Sequence, residues 1–293
     1  MRTLLLFAAL LAGALIVASA LTYPAWLLVS TISIEPVHRV MNRVAILLAL
    51  IGLVVLTRRL GLSNRESMGY GMPRAQFVTQ LLIGWVAGVL LMTPLVAALL
   101  GLDIREVKAN FDGAWASLII GGVLSGLAVA FIEETFFRGV LFTAVRRTSS
   151  VAAAVIAPSL LYAALHFLGG RLRVPAEEVS WQHGFLVLAR LFERYANPLE
   201  FIDSFLALLM LGILLALIRL RTGAIAACIG LHAAGVCAIA VLRKATAVDV
   251  TSEHAPWVGS YDGVIGWGAL IWFVVIAFVY VRLSQKRSAS APT

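Results

Sequence analysis

Eight predominantly apolar runs constrain this chain more than any other feature; they lie near 4–32, 42–57, 77–100, 115–143, 151–168, 200–218, 223–242 and 263–282. A helix needs about 20 such residues to cross the hydrocarbon core of a bilayer. The expected fold is therefore all-α: residues 1–293 form a single integral-membrane domain, a polytopic bundle of about eight transmembrane helices. Basic residues sit where the runs stop, at Arg58-Arg59, Arg146-Arg147, Arg219 with Arg221, and Arg282 with Lys286 and Arg287.

Composition excludes the main alternatives. At 61% hydrophobic, 13% charged and a mean hydropathy of +0.96, the chain is neither a soluble globule nor a disordered one. The net charge of +8 calls for no nucleic-acid partner, because Lys and Arg gather at span ends. Their distribution gives a narrow preference for both termini inside. The expected location is a bacterial inner membrane, with the lipid bilayer as the standing partner. Cys228 and Cys237 lie on one apolar stretch, about 13 Å apart if helical, and cannot bridge each other.

The first run has a second reading. Arg2, the stretch Leu4 to Val17 and Ala18-Ser19-Ala20 resemble a secretory signal over residues 1–20. Apolar sequence resumes through Tyr23, Trp26, Leu27 and Leu28, so a retained helix is the expectation. Two connections are expected to hold short helices. Ser63-Asn64-Arg65-Glu66 fits a capping box. In the extramembrane loop 169–199, Trp181, Phe185, Leu188, Phe192 and Tyr195 recur at helical spacing, which suggests an interfacial helix serving as a packing strap or as a lid. No internal repeat is evident.

The informative residues are the ionisable ones inside spans, where each costs roughly 2.5–3.5 kcal/mol on insertion scales. The fourth run carries three of them, in Phe131-Ile132-Glu133-Glu134-Thr135-Phe136-Phe137-Arg138-Gly139. Glu134 and Arg138 are four apart, acid first, and can pair on one helix face. Glu133 is turned about 100° away and has no cation on its own helix. His166 and His232 lie in later runs without acidic neighbours. Counted from the basic flanks, Glu133, His166 and His232 stand about 20, 27 and 17 Å up their helices, so tilting can bring them to one layer. His38, His183 and His254 fall in connections and read as solvated.

A carboxylate and two imidazoles in a bilayer suit hydrolysis. Glu133 would be the base on a water, His166 its partner on that water, and His232 the donor to the oxyanion formed at an attacked amide. No Gly-x-Ser-x-Gly elbow occurs and neither cysteine has a nearby base, so a Ser or Cys nucleophile is not expected. The same three side chains could instead ligate Zn2+, and their spacing leaves that alternative open.

Glu133-Glu134-x-x-x-Arg138-Gly139, an aromatic four before a histidine (Tyr162 and His166), and His232 further on resemble the CPBP family of intramembrane proteases. That family includes the type II CAAX prenyl endopeptidases and relatives linked to bacteriocin processing and self-immunity. The resemblance covers a core of residues 115–242. It implies an eight-helix bundle and glutamate-dependent endoproteolysis with no required cofactor, with Glu133 as base, His166 holding the water, His232 as oxyanion donor, and Glu134, Arg138 and Tyr162 bracing the site. Many members carry Asn four residues after the last histidine; Val236 stands there in this chain, so either another donor substitutes, such as a backbone amide, Tyr162 or a serine, or the enzyme is slow, or catalysis is lost. The implied substrate is a membrane-anchored protein or a peptide precursor. A non-catalytic immunity or scaffold protein of the same fold and a small-solute or proton transporter are the alternative functions.

Overall fold

The structure, a computed structural model, describes residues 2–289 and the side chains of residues 3–285. Arg2, Lys286 and Arg287, expected to flank the first and last spans, have side chains outside the described residues. Ten α-helices make up most of the described residues: α1 (Arg2–Ser30), α2 (Val37–Arg59), α3 (Arg74–Gly101), α4 (Trp115–Glu134), α5 (Phe142–Thr148), α6 (Val151–Leu165), α7 (Trp181–Arg190), α8 (Ile202–Thr222), α9 (Ala226–Ala245) and α10 (Trp267–Ala289). A π-helical turn, Thr135–Leu141, joins α4 to α5, so 115–148 is one continuous rod. Among the described residues, seven helical stretches are long and apolar enough to cross a membrane. The protein is thus an all-α polytopic membrane bundle.

The fifth expected span differs. Its helix, α6, covers 15 residues, about 22 Å, because the chain turns out of the helix before Gly169-Gly170. Its start is fixed by Ser150, whose hydroxyl accepts from the Ala153 amide. Pro36 and Pro73 precede α2 and α3 with φ near −55°, a value their rings impose, and α8 stops at Gly223 in the left-handed region (φ 69°).

Two further expectations are corrected. The Ser63–Glu66 capping box does not form; the Ser67 amide instead donates to Asn64 Oδ1 (2.9 Å), and residues 64–69 make turns rather than a helix. His38 and His183 are not free solvated groups. His38 lies in the first turn of α2 with Nδ1 donating to the Leu172 carbonyl (2.9 Å), and His183 Nδ1 accepts from the Ser180 amide at the start of α7.

Helix α9 lies between α3 and α4, and glycines set both contacts. A Cβ on Gly84 would run into the Ala227 backbone carbonyl, and one on Gly126 into that of Ala233. Only Gly lets the backbones approach this closely. The main core runs through α3, the π turn and α5, α6 and α8 to α10. A second core joins α1, α2 and α7 through Ala18, Trp26, Val40, Met41 and Val187. Trp181 and Phe185 point out of α7 at 56% and 51% exposure, while Gly184 and Val187 are buried. Beyond the helices, β1 (Arg105–Val107) pairs antiparallel with β2 (Thr246–Val248). Arg105 closes this ribbon by donating to Thr246 and to the Gly263 carbonyl.

Candidate active site

The π turn is the local structure that builds the site. Thr135, its first residue, donates back to the Phe131 carbonyl (2.6 Å) and accepts from the Tyr70 hydroxyl (2.5 Å). The Met68 backbone crosses directly over Gly139, leaving no room for a Cβ there, and Thr143 donates to the Ser67 carbonyl. The 61–70 connection thus braces the turn from outside. Such turns are commonly found at functional sites. A reading at 100° per residue does not foresee one.

Glu134 is fully buried at the end of α4. Its Oε1 accepts from Arg138 Nη1 at 2.8 Å and from His232 Nδ1 at 2.8 Å. Because a carboxylate only accepts, Nδ1 carries the imidazole proton and Nε2 is left for the other side of the ring. On that side Glu133 Oε2 stands 3.8 Å from His232 Nε2. Arg138 also donates to the Gly212 carbonyl (3.2 Å), and its guanidinium lies 4.6 Å from the centre of the Tyr162 ring. The expected Glu134–Arg138 pair is present, and it holds His232 as well.

Tyr162 gathers the histidines. Its ring sits 4.4 Å from that of His166 and 6.0 Å from that of His232, centre to centre. His166 Nδ1 donates to the Tyr162 carbonyl (2.8 Å), which leaves Nε2 as an acceptor in the neutral ring. His166, Tyr162 and His232 share a cavity of about 240 Å³ that continues along α9 past Val236 to Arg243, Tyr261 and Asp262. His166 also lines a second cavity, about 280 Å³, whose wall includes Glu133. The structure therefore brings all the residues expected at the site into one neighbourhood. His232, rather than His166, makes the close approach to Glu133.

Among the described residues, the buried side-chain oxygens and nitrogens lacking a hydrogen-bond partner are Glu133 Oε2, Glu134 Oε2 and Arg138 Nε, all in this site. Unsatisfied buried polar atoms are rare and call for a reason. No group of three His, Cys, Asp or Glu side chains gathers at metal-ligand spacing among the described residues.

Sequence reasoning missed Tyr261 and Asp262, which reach the 240 Å³ cavity from the connection before α10. Burial, with Asp262 and Glu133 next, pushes the Tyr261 hydroxyl above its ordinary value. The Asp262 carboxyl is also pushed up by burial, although it accepts from the Ile265 and Val264 amides. The available signal was a lone Tyr-Asp pair in a polar loop, which singles out nothing by itself.

Residues 115–237 match the family described as type II CAAX prenyl endopeptidase Rce1-like. The matched segment begins at the first residue of α4 and ends within α9, so it contains Glu133, Glu134, Arg138, Tyr162, His166 and His232. No curated protein and no solved structure matches the chain.

Proposed function

Since residues 115–237 match the family described as type II CAAX prenyl endopeptidase Rce1-like, we propose that the chain hydrolyses a peptide bond in a membrane-anchored protein or peptide, using water activated by Glu133. The family is one of intramembrane CAAX-type endopeptidases. The observation that carries the finer reading is the unpartnered Glu133 Oε2, 3.8 Å from His232 Nε2, on a carboxylate that shares a cavity with His166.

In this reading Glu133 takes a proton from water as the water oxygen attacks the scissile carbonyl carbon. The neutral His166 Nε2 accepts the other hydrogen of that water and orients it. His232, in its protonated form, donates through Nε2 to the oxyanion while Glu134 anchors Nδ1. The proton on Glu133 then passes to the leaving nitrogen as the C–N bond breaks, releasing an acid and an amine. No step passes through a metal.

The test is cleavage of tagged membrane-anchored substrates by wild type and by Glu133→Gln, both reconstituted at equal amounts. The variant is expected to lose about 10³-fold or more in rate while expressing and melting as wild type does. A chelator should leave the wild-type rate unchanged. Equal processing by the two proteins would remove the peptidase reading for those substrates.

A further inference from the structure

A cavity of about 970 Å³ opens at the end of the bundle where α1 gives way to α2, beside the 169–176 segment. Its lining holds four arginines, Arg39, Arg171, Arg173 and Arg194, and one carboxylate, Glu35. Glu35 is already engaged by Arg39 (3.4 Å) and Arg43 (3.5 Å). Arg171, Arg173 and Arg194 have no carboxylate partner among the described residues, and the nearby Glu177 and Glu178 do not line the cavity. The first turn of α2 adds its positive end, with no side chain capping it. The His38–Leu172 hydrogen bond pins the segment carrying Arg171 and Arg173 against that turn. Excess guanidinium in a concave site selects an anion, and the planar fork suits phosphate oxygens.

The position of the cavity selects the source of that anion. It lies where α1, a helix long and apolar enough to span the bilayer, ends at Ser30, the level at which a headgroup would sit. Trp26 and Ile34 form an apolar lip, and Ile34 is 75% exposed. Leu28, two residues before the end of α1, is 72% exposed and offers an apolar surface next to the cavity's lip. Trp181, Phe185 and Phe192, also exposed, supply an aromatic belt at the same end. We propose that this cavity binds the phosphate headgroup of an anionic phospholipid, whose acyl chains lie along the outer face of α1. The proposal does not depend on the peptidase reading, because it concerns binding alone.

The full chain, reconstituted in nanodiscs of phosphatidylcholine and phosphatidylglycerol, tests it. The lipid retained after delipidation is measured by native mass spectrometry. Wild type should keep phosphatidylglycerol over phosphatidylcholine by about tenfold or more, with the preference falling at high salt. Arg171→Gln/Arg173→Gln should reduce the preference to near parity, whereas Arg58→Gln/Arg59→Gln, with equal charge removed at the other end of α2, should keep it. If the first double variant misfolds, Arg39→Gln, at an exposed position, should still lower the preference severalfold. Absence of preference in wild type, its survival in both Arg171→Gln/Arg173→Gln and Arg39→Gln, or equal loss in the Arg58/Arg59 control would overturn the proposal. So would thermal stabilisation by millimolar inorganic phosphate as large as that by the lipid, or displacement of the lipid by a soluble polyglutamate peptide.

Discussion

Glu134 satisfies two donors with one oxygen at 0% exposure, so its removal leaves two groups stranded. Glu134→Gln keeps the shape but leaves the Arg138 charge unpaired in an apolar bundle, at a cost of about 3–5 kcal/mol. The expected outcome is lower abundance and a lower melting temperature together with lost activity. Glu134→Gln/Arg138→Met should cost less than the sum of the single changes, because no buried charge is left over. An unchanged melting temperature in Glu134→Gln would contradict the bracing role. The pair was legible because its partners are four residues apart. The bond to His232 was not, because 98 residues separate it from Glu134 and only packing brings the two together. Asp262 allows a test by pH. Burial raises its carboxyl, so the folded state holds the proton more tightly than the unfolded one. That contribution is fully present below the ordinary Asp value and is lost as pH rises through the raised one. Asp262→Asn keeps the acceptor oxygen and never ionises. Its melting temperature relative to wild type should therefore climb as pH rises above the ordinary Asp value, and a flat difference would refute the burial argument.

At the scale of the element, α9 controls the site because it carries His232 between two helices with no slack. Gly84 and Gly126 are the contact points, whereas a Cβ at Gly121 would meet nothing within 4 Å. Gly84→Ala or Gly126→Ala must push α9 away from its neighbour, an overpacking cost of typically about 1–3 kcal/mol, and should displace His232 from Glu134. Gly121→Ala should be neutral or slightly stabilising, since Ala favours helix by up to about 1 kcal/mol over Gly. Thermal melts of the three variants check this ordering. The spacings Gly84-x-x-x-Gly88 and Gly122-x-x-x-Gly126 put small residues on one face of α3 and of α4, but nothing in them names α9 as the shared partner. Helix existence was legible from hydropathy alone. The π turn was not, because it depends on Thr135 being bridged to Tyr70 and on the Met68 backbone crossing Gly139, both long-range events.

At the scale of the molecule, the two cores meet along a seam, with α1 and α2 on one side and the rod 115–148 and α6 on the other. Phe7 on α1 touches Phe136 at 6.0 Å between ring centres, and beyond that contact the seam opens into the 280 Å³ cavity. Leu10, Leu11, Ala49, Leu50 and Leu53 form its near wall, and Glu133 with His166 lies on the other. An apolar slot ending on a carboxylate is the path by which a membrane-anchored chain would meet the proposed base without leaving the bilayer. If so, Ala49→Trp, which fills the slot from α2 and touches no group in the site chemistry, should slow cleavage of membrane-anchored substrates by about tenfold or more, equivalent to about 1.4 kcal/mol, with the melting temperature nearly unchanged. Leu82→Trp is the control. It places the same bulk at a 57% exposed position on α3, away from the seam, and should leave the rate as in wild type. Equal rates in Ala49→Trp and wild type would mean that substrates reach Glu133 from the α9 side, through the cavity that ends at Arg243 and Tyr261.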